Sequence, residues 1–137
     1  MCGIIDKMKG FHVNIEKETK ENTDYRRVLY TAKDMQLVVM SIAPGDEIGN
    51  EVHDLAQFIR VEEGEGKAIL QNGETEYVLR EDDAIIIPAG TWHNIVNTGD
   101  TPLKIYTIYA PPEHKDGTVH KTKADEKEEH FDGQTTE

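Results

Sequence analysis

The chain of 137 residues has room for one domain, and 36% hydrophobic against 31% charged residues indicate a modest core with much polar surface. Its 27 acidic and 15 basic side chains give a net charge of -12, which opposes binding to nucleic acids and to acidic membrane surfaces. No apolar run approaches the roughly 20 residues of a membrane span. The first residues lack a signal region and Cys2 is a single cysteine, so no intrachain disulfide can form and we expect a cytoplasmic protein.

Short apolar segments separated by turn residues follow one another from residue 11 to residue 110, a rhythm typical of an all-β sandwich or barrel. Asn72-Gly73 is the strongest turn signal, because both residues tolerate a positive φ. The segment from Leu37 to Ile42 is apolar on both faces, so we expect its outer face to contact a second sheet or a partner subunit. The predicted strands are 27–31, 35–43, 57–62, 67–70, 77–79, 84–87, 92–96 and 103–110.

The composition changes near residue 112, which divides the chain into a barrel domain, residues 1–112, and a polar tail, residues 113–137. Thr122 and Asp125 are three positions apart, the spacing of a weak capping box, and predict a short helix through Glu129. The rest of the tail carries few apolar side chains, so we expect most of it to be solvated.

Two spaced motifs carry the candidate functional residues. The first contains Glu51, His53 and Gln57, and the second contains His93. Alternate side chains of an extended strand share a face, so the first three can point inward with His93 opposite them on a later strand. Two imidazoles, a carboxylate and an amide oxygen in one pocket predict a site for one divalent metal.

These motifs resemble those of the cupin superfamily over about residues 35 to 110. The resemblance implies a jelly-roll β-barrel with the metal in its interior. The spacing is kept at every framework position: Gly45, His53, Gly64, Pro88, Gly90, His93 and Asn97. We expect Asn97 to brace a turn.

The sequence departs from the family pattern at three positions. Glu51 stands where the first histidine is usual, Gln57 stands in the place of the family's glutamate, and Asp82 replaces a glycine at a turn. The carboxylate has therefore exchanged places with a neutral side chain, and the summed ligand charge stays at about -1. Mn, Fe, Ni and Zn all fit such a ligand set.

The resemblance leaves three functions open: a non-oxidative metal enzyme (isomerase, lyase or cyclase), a dioxygenase, and a non-catalytic binding protein. Family members with a glutamine ligand tend towards the first, with the metal acting as a Lewis acid on a small oxygen-rich substrate such as a sugar acid. Glu51 and Tyr109 are the candidate proton-transfer groups, and Tyr106 is the alternative to Tyr109 because the two have opposite parity.

The sequence supports three further expectations, about the subfamily, the oligomeric state and the tail histidines. The segment around Tyr106 and Tyr109 resembles small bacterial cupins labelled mannose-6-phosphate-isomerase-like. Cupins commonly pair through apolar sheets, which predicts a homodimer. We expect the tail histidines His114 and His120 to be solvated, unless the tail folds over the barrel mouth and brings one of them near the metal.

Overall fold

The computed structural model describes residues 7–137, so Cys2 lies outside the described residues. They form two antiparallel sheets, one of six strands in the order β6-β3-β8-β2-β1-β9 and one of three in the order β5-β4-β7. This arrangement confirms the predicted all-β class. The elements are α1 (Ile15–Glu21), β1 (Arg26–Thr31), β2 (Gln36–Ile42), β3 (Ala56–Glu63), β4 (Gly66–Leu70), β5 (Thr75–Leu79), β6 (Ala84–Ile87), β7 (His93–Asn97), β8 (Leu103–Ala110) and β9 (Val119–His120).

The core lies between the two sheets and follows the period-two pattern of the strands. Val38, Met40 and Ile42 of β2 are almost fully buried, and they cluster with Ile59 of the same sheet and Ile95 of the three-stranded sheet. These inward side chains fill the lower part of the barrel, where β2 ends at Ile42, with hydrocarbon. The polar site lies above this apolar layer, at the upper end of the barrel.

The turns follow the chemistry that the sequence predicts. Asn72 and Gly73, between β4 and β5, have φ values of 57° and 103°. Asp82 also has a positive φ, and its carboxylate accepts a hydrogen bond from Arg60. Asn97 braces a turn as expected, because its amide nitrogen donates to the carbonyl oxygens of Ile42 and Thr101, both at 2.9 Å.

Helix α1 was not predicted, and it covers part of the outer face of β2, where we expected a second sheet or a partner subunit. Asn14 caps it by accepting a hydrogen bond from the backbone amide of Lys17. The helix packs against β2, β3 and β8, and both its Thr19 and the outward-facing Val39 of β2 are fully buried. Part of the apolar outer face is therefore covered by the chain itself. No helix within residues 7–137 has the length and apolar character needed to cross a membrane.

The tail is mostly exposed, as predicted, but it is folded onto the barrel. Its strand β9 pairs with β1, and His120 is only 7% exposed, so the expectation of a solvated His120 is wrong. The capping box of Thr122 and Asp125 is present, yet the helix is a single 3-10 turn, Lys123–Asp125. The predicted continuation through Glu129 is wrong because Glu126 leaves the helical conformation and pairs with Arg26 on the barrel.

Candidate metal centre

Three of the four predicted ligands form one cluster at the upper end of the barrel. Glu51, His53 and His93 each offer a ligand atom, and these atoms lie within 4.8 Å of one another. The Glu51 carboxylate is 3.2 Å from Nε2 of His53 and 3.7 Å from Nε2 of His93. The sequence therefore identified side chains that the fold does bring together, from two segments 40 residues apart.

The backbone places Glu51 and His93 opposite each other. The amide of each residue donates to the carbonyl oxygen of the other, and both distances are 2.9 Å. Strand parity does not extend from Glu51 to Gln57, because the chain bends at residues 54 and 55 and β3 begins at Ala56. His53 reaches the cluster from this bent segment rather than through strand parity.

His93 has the hydrogen-bonding pattern of a metal ligand. Its Nδ1 lies 2.9 Å from the carbonyl oxygen of Thr91, which can only accept, so Nδ1 carries the proton. Nε2 then presents a lone pair towards Glu51 and His53. This atom is buried and has no hydrogen-bond partner among residues 7–137, an arrangement that a bound cation would satisfy.

Gln57 lies on β3 with a side chain that is almost fully buried. Its amide nitrogen donates to the hydroxyl of Thr107 at 3.0 Å. The amide oxygen is buried and unpaired within the described part of the chain. It is therefore available as the neutral fourth ligand, and this role for Gln57 stays a prediction.

Glu113 belongs to the site although neither motif contains it. Its carboxylate lies 3.4 Å from Nδ1 of His53 and 3.1 Å from Nδ1 of His130, so it can orient the imidazole of His53 from behind. Burial disfavours the charged ring of His53, but Glu113 and Glu51 outweigh that cost and raise the pKa of His53 to about 9. Burial likewise opposes the Glu51 carboxylate, but the neighbouring imidazole of His53 counteracts that cost, and the pKa of Glu51 is lowered to about 2. The cluster thus favours a positive charge between its carboxylates.

Tyr109 is buried beside the cluster, whereas Tyr106 lies on the outer face and packs against Phe58. The ring of Tyr109 meets His53 edge-on at 6.0 Å, and its hydroxyl lies 3.3 Å from Nε2 of His114. Burial raises the pKa of Tyr109 and lowers that of His114 to about 3. The expectation of a solvated His114 is therefore wrong: the tail does fold over the barrel and brings this ring to Tyr109.

A cleft of about 750 Å³ opens over Glu51 and His53. Its walls come from both the barrel and the tail. Arg26 and residues 52–55 belong to the barrel, and His114 and residues 126–130 belong to the tail. The described part of the molecule therefore gives the cluster a chamber large enough for a small molecule.

The chain is similar in sequence to two known proteins and in structure to a third. The uncharacterized protein YrkC of Bacillus subtilis (strain 168) is 49% identical over 124 residues, which cover 85% of this chain and 66% of YrkC, so the chain spans a little under two thirds of that relative. The uncharacterized protein L612 of Acanthamoeba polyphaga mimivirus is 46% identical over 119 residues, covering 85% of this chain and 74% of L612. The crystal structure of BH2720 from Bacillus halodurans is similar with a TM-score of 0.83 and 52% identity, covering 85% of this chain and 92% of that one.

These matches support the superfamily and not the narrower label of mannose-6-phosphate-isomerase-like proteins. The family model described as a cupin domain matches residues 38–109, which include both motifs and the cluster of Glu51, His53 and His93. With its antiparallel jelly roll and a cluster compatible with a divalent metal, the chain belongs to the cupin superfamily.

Proposed function

We propose that this cupin uses a bound divalent metal, one of Mn, Fe, Ni or Zn, in non-oxidative chemistry on a small oxygen-rich molecule such as a sugar acid. The reaction would be an isomerisation, an elimination or a cyclisation, and we place it in the cytoplasm. The observation that carries the proposal is the cluster of Glu51, His53 and His93, with the lone pair of His93 Nε2 unpaired, beneath a cleft of about 750 Å³.

Each residue of the site has a part in this proposal. His53, His93, Glu51 and Gln57 would hold the metal, which supplies Lewis-acid polarisation of a substrate oxygen and so acidifies the neighbouring C–H or O–H. The Glu51 carboxylate also borders the cleft, and it would accept a proton from substrate when it leaves the metal. The buried hydroxyl of Tyr109 reaches the cleft only through its contact with His114, so its proposed part in proton transfer runs through that ring.

We expect metal-dependent proton exchange without oxygen consumption. Zn-, Mn-, Ni- and Fe-loaded protein would be incubated anaerobically in D₂O with uronic acids and hydroxy-carbonyl compounds, and NMR would detect deuterium at carbon. Isomerisation and elimination both begin with loss of a C–H proton, so exchange is expected even where the product is unknown. His93→Ala protein provides the inactive control.

The other functions give different results. Turnover that requires O₂, measured in parallel with an oxygen electrode, would reject the Lewis-acid proposal in favour of a dioxygenase. Tight metal-dependent binding of a compound with neither exchange nor turnover would favour the non-catalytic binding protein.

We also propose a homodimer that forms through the outer face of the six-stranded sheet. Ile86, Phe58, Ile108 and Leu37 lie in register across β6, β3, β8 and β2, and all four point away from the core and are partly or fully exposed. This outer row lies on the face that α1 covers only in part. Apolar rows of this kind are typical of obligate interfaces.

The outer row makes the dimer testable by charge insertion. Light scattering is expected to give twice the chain mass of 15.5 kDa for the unaltered protein and about 15.5 kDa for the double variant Phe58→Asp, Ile86→Asp. Val78→Asp is the control, because Val78 is exposed like Ile86 (57% against 66%) but lies on the three-stranded sheet. A monomeric unaltered protein at micromolar concentration would contradict the proposal.

A further inference from the structure

Arg26 is a buried cation in the wall of the cleft. It lies on β1, its side chain is 4% exposed, and it lines the same cleft as Glu51 and His53. We propose that Arg26 is the anchor for a carboxylate group of the ligand, and that Glu126 of the tail occupies that position in the absence of ligand. The inference rests on the proposed function and narrows its substrate class to molecules that carry a carboxylate.

The contacts of Arg26 leave part of its guanidinium unused. Nη1 donates to Glu126 at 2.6 Å and lies 3.4 Å from Nδ1 of His120, while Nε is buried with no partner within residues 7–137. The group lies 5.2 Å from the centre of the Tyr25 ring, which supports it from one side. A guanidinium presents five N–H donors in a rigid fork that matches the two oxygens of a carboxylate. A single tail carboxylate on Nη1 uses only part of that capacity.

Glu126 is placed where it can exchange with an incoming anion. It follows the 3-10 turn Lys123–Asp125, its side chain is 35% exposed, and it lines the cleft together with residues 127–130. Most side chains in this part of the tail are exposed, so few apolar contacts resist a local shift. Displacing Glu126 would open the space around Arg26 without disturbing the strands of the barrel.

The charges of the cleft explain why a ligand carboxylate would replace Glu126 rather than bind beside it. Asp54, Glu128 and Glu129 also line it and outnumber Lys127, so a free anion meets net repulsion from the surrounding carboxylates. A ligand carboxylate that replaces Glu126 keeps one negative charge on Arg26 and releases the other to solvent. The guanidinium therefore selects a carboxylate in surroundings that otherwise repel one.

The test compares a carboxylate with a neutral molecule of the same shape. Zn-loaded and metal-free protein would be titrated calorimetrically with D-galacturonate and with its methyl ester. We expect galacturonate to bind the unaltered protein about tenfold more tightly than the ester, the difference that a charge-assisted pair contributes. Glu126→Gln should tighten galacturonate binding several-fold and leave the ester unchanged. Glu128→Gln, which removes the same charge without touching Arg26, is the matched control and should change neither by more than about twofold.

Arg26→Gln should bring the two affinities within about twofold. Arg26→Lys, which keeps the charge but loses the fork, should reduce the difference between them and serves if the glutamine variant does not fold. Undiminished discrimination in a folded Arg26 variant would overturn the inference, as would equal changes in Glu126→Gln and Glu128→Gln. If the unaltered protein binds neither probe, Glu126→Gln must still bind galacturonate, and its failure to do so would also overturn the inference. Elemental analysis of the same samples separates the two proposals: carboxylate discrimination without metal uptake supports Arg26 and refutes the metal-dependent function.

Discussion

Metal uptake is expected to be lost in His93→Ala and almost lost in His53→Ala, while Gln57→Ala weakens it only moderately. Each histidine supplies a nitrogen donor that no neighbour replaces, whereas water can substitute for the neutral amide oxygen of Gln57. Loss of a ligand nitrogen should exceed the about 10–100-fold loss of affinity that follows removal of a hydrogen-bond partner of a ligand. Elemental analysis and competition with a chelator measure both effects.

The control for the histidine variants is His12→Ala, because His12 is exposed and lies outside the cluster. It should bind metal as the unaltered protein does, and circular dichroism should give the same spectrum for all four variants. An unaltered protein purified without chelator that stays metal-free after reconstitution would refute the metal site. Equal metal contents in His93→Ala and His12→Ala would refute the assignment of His93.

Gly64→Ala is expected to lower the free energy of unfolding by about 2–5 kcal/mol. Gly64 follows β3 with a φ of +93°, which is unfavourable for alanine by about 1–2 kcal/mol. A Cβ atom there would lie 2.6 Å from the carbonyl oxygen of Pro102 and 3.0 Å from Cα of Leu103, and backbone atoms cannot move aside as a flexible side chain can. Overpacking of this kind adds about 1–3 kcal/mol. Urea denaturation gives the measurement.

Gly45→Ala is the matched control for Gly64→Ala. Gly45 has a similar φ of +77°, but a Cβ atom there would meet nothing within 4 Å. Its cost should be the backbone strain alone, about 1–2 kcal/mol. Equal destabilisation of the two variants would mean that the contact with Pro102 and Leu103 relaxes, and it would contradict the account of why a glycine is required at position 64.

Local signals in the sequence were sufficient for strands β1 to β8, but not for β9 in the tail, and for three ligands. Period-two alternation and turn residues place the strand ends within two residues of the observed ones, as for β7, predicted from residue 92 and observed from His93. The spacing of the motifs identified Glu51, His53 and His93, which the structure brings together. That success rests on the resemblance, since Glu51 and His53 lie outside the long strands and the bend at residues 54 and 55 separates them from Gln57.

Contacts between distant segments could not be predicted in the same way. Helix α1 has only seven residues, and its signal was limited to the cap at Asn14 and the acidic residues Glu16 and Glu18 of its first turn. Glu113 and Arg26 lie outside both motifs: Glu113 belongs to the tail, and Arg26 lies on β1, the strand with which the tail pairs as it crosses the barrel mouth. No periodicity within the tail encodes that path, which depends on long-range hydrogen bonds and ion pairs.

The reciprocal backbone hydrogen bonds between Glu51 and His93 bear on how the ligand set can evolve. Because main-chain groups hold these two positions opposite each other, the placement of the backbone at position 51 does not depend on which side chain it carries. A codon change there can substitute an imidazole for a carboxylate while the supporting loop and strand stay as they are. The replacement of the family's histidine by Glu51 then requires no rebuilding of the barrel. Lineages can alter the charge at the centre of the fold, and with it the preferred metal, one residue at a time.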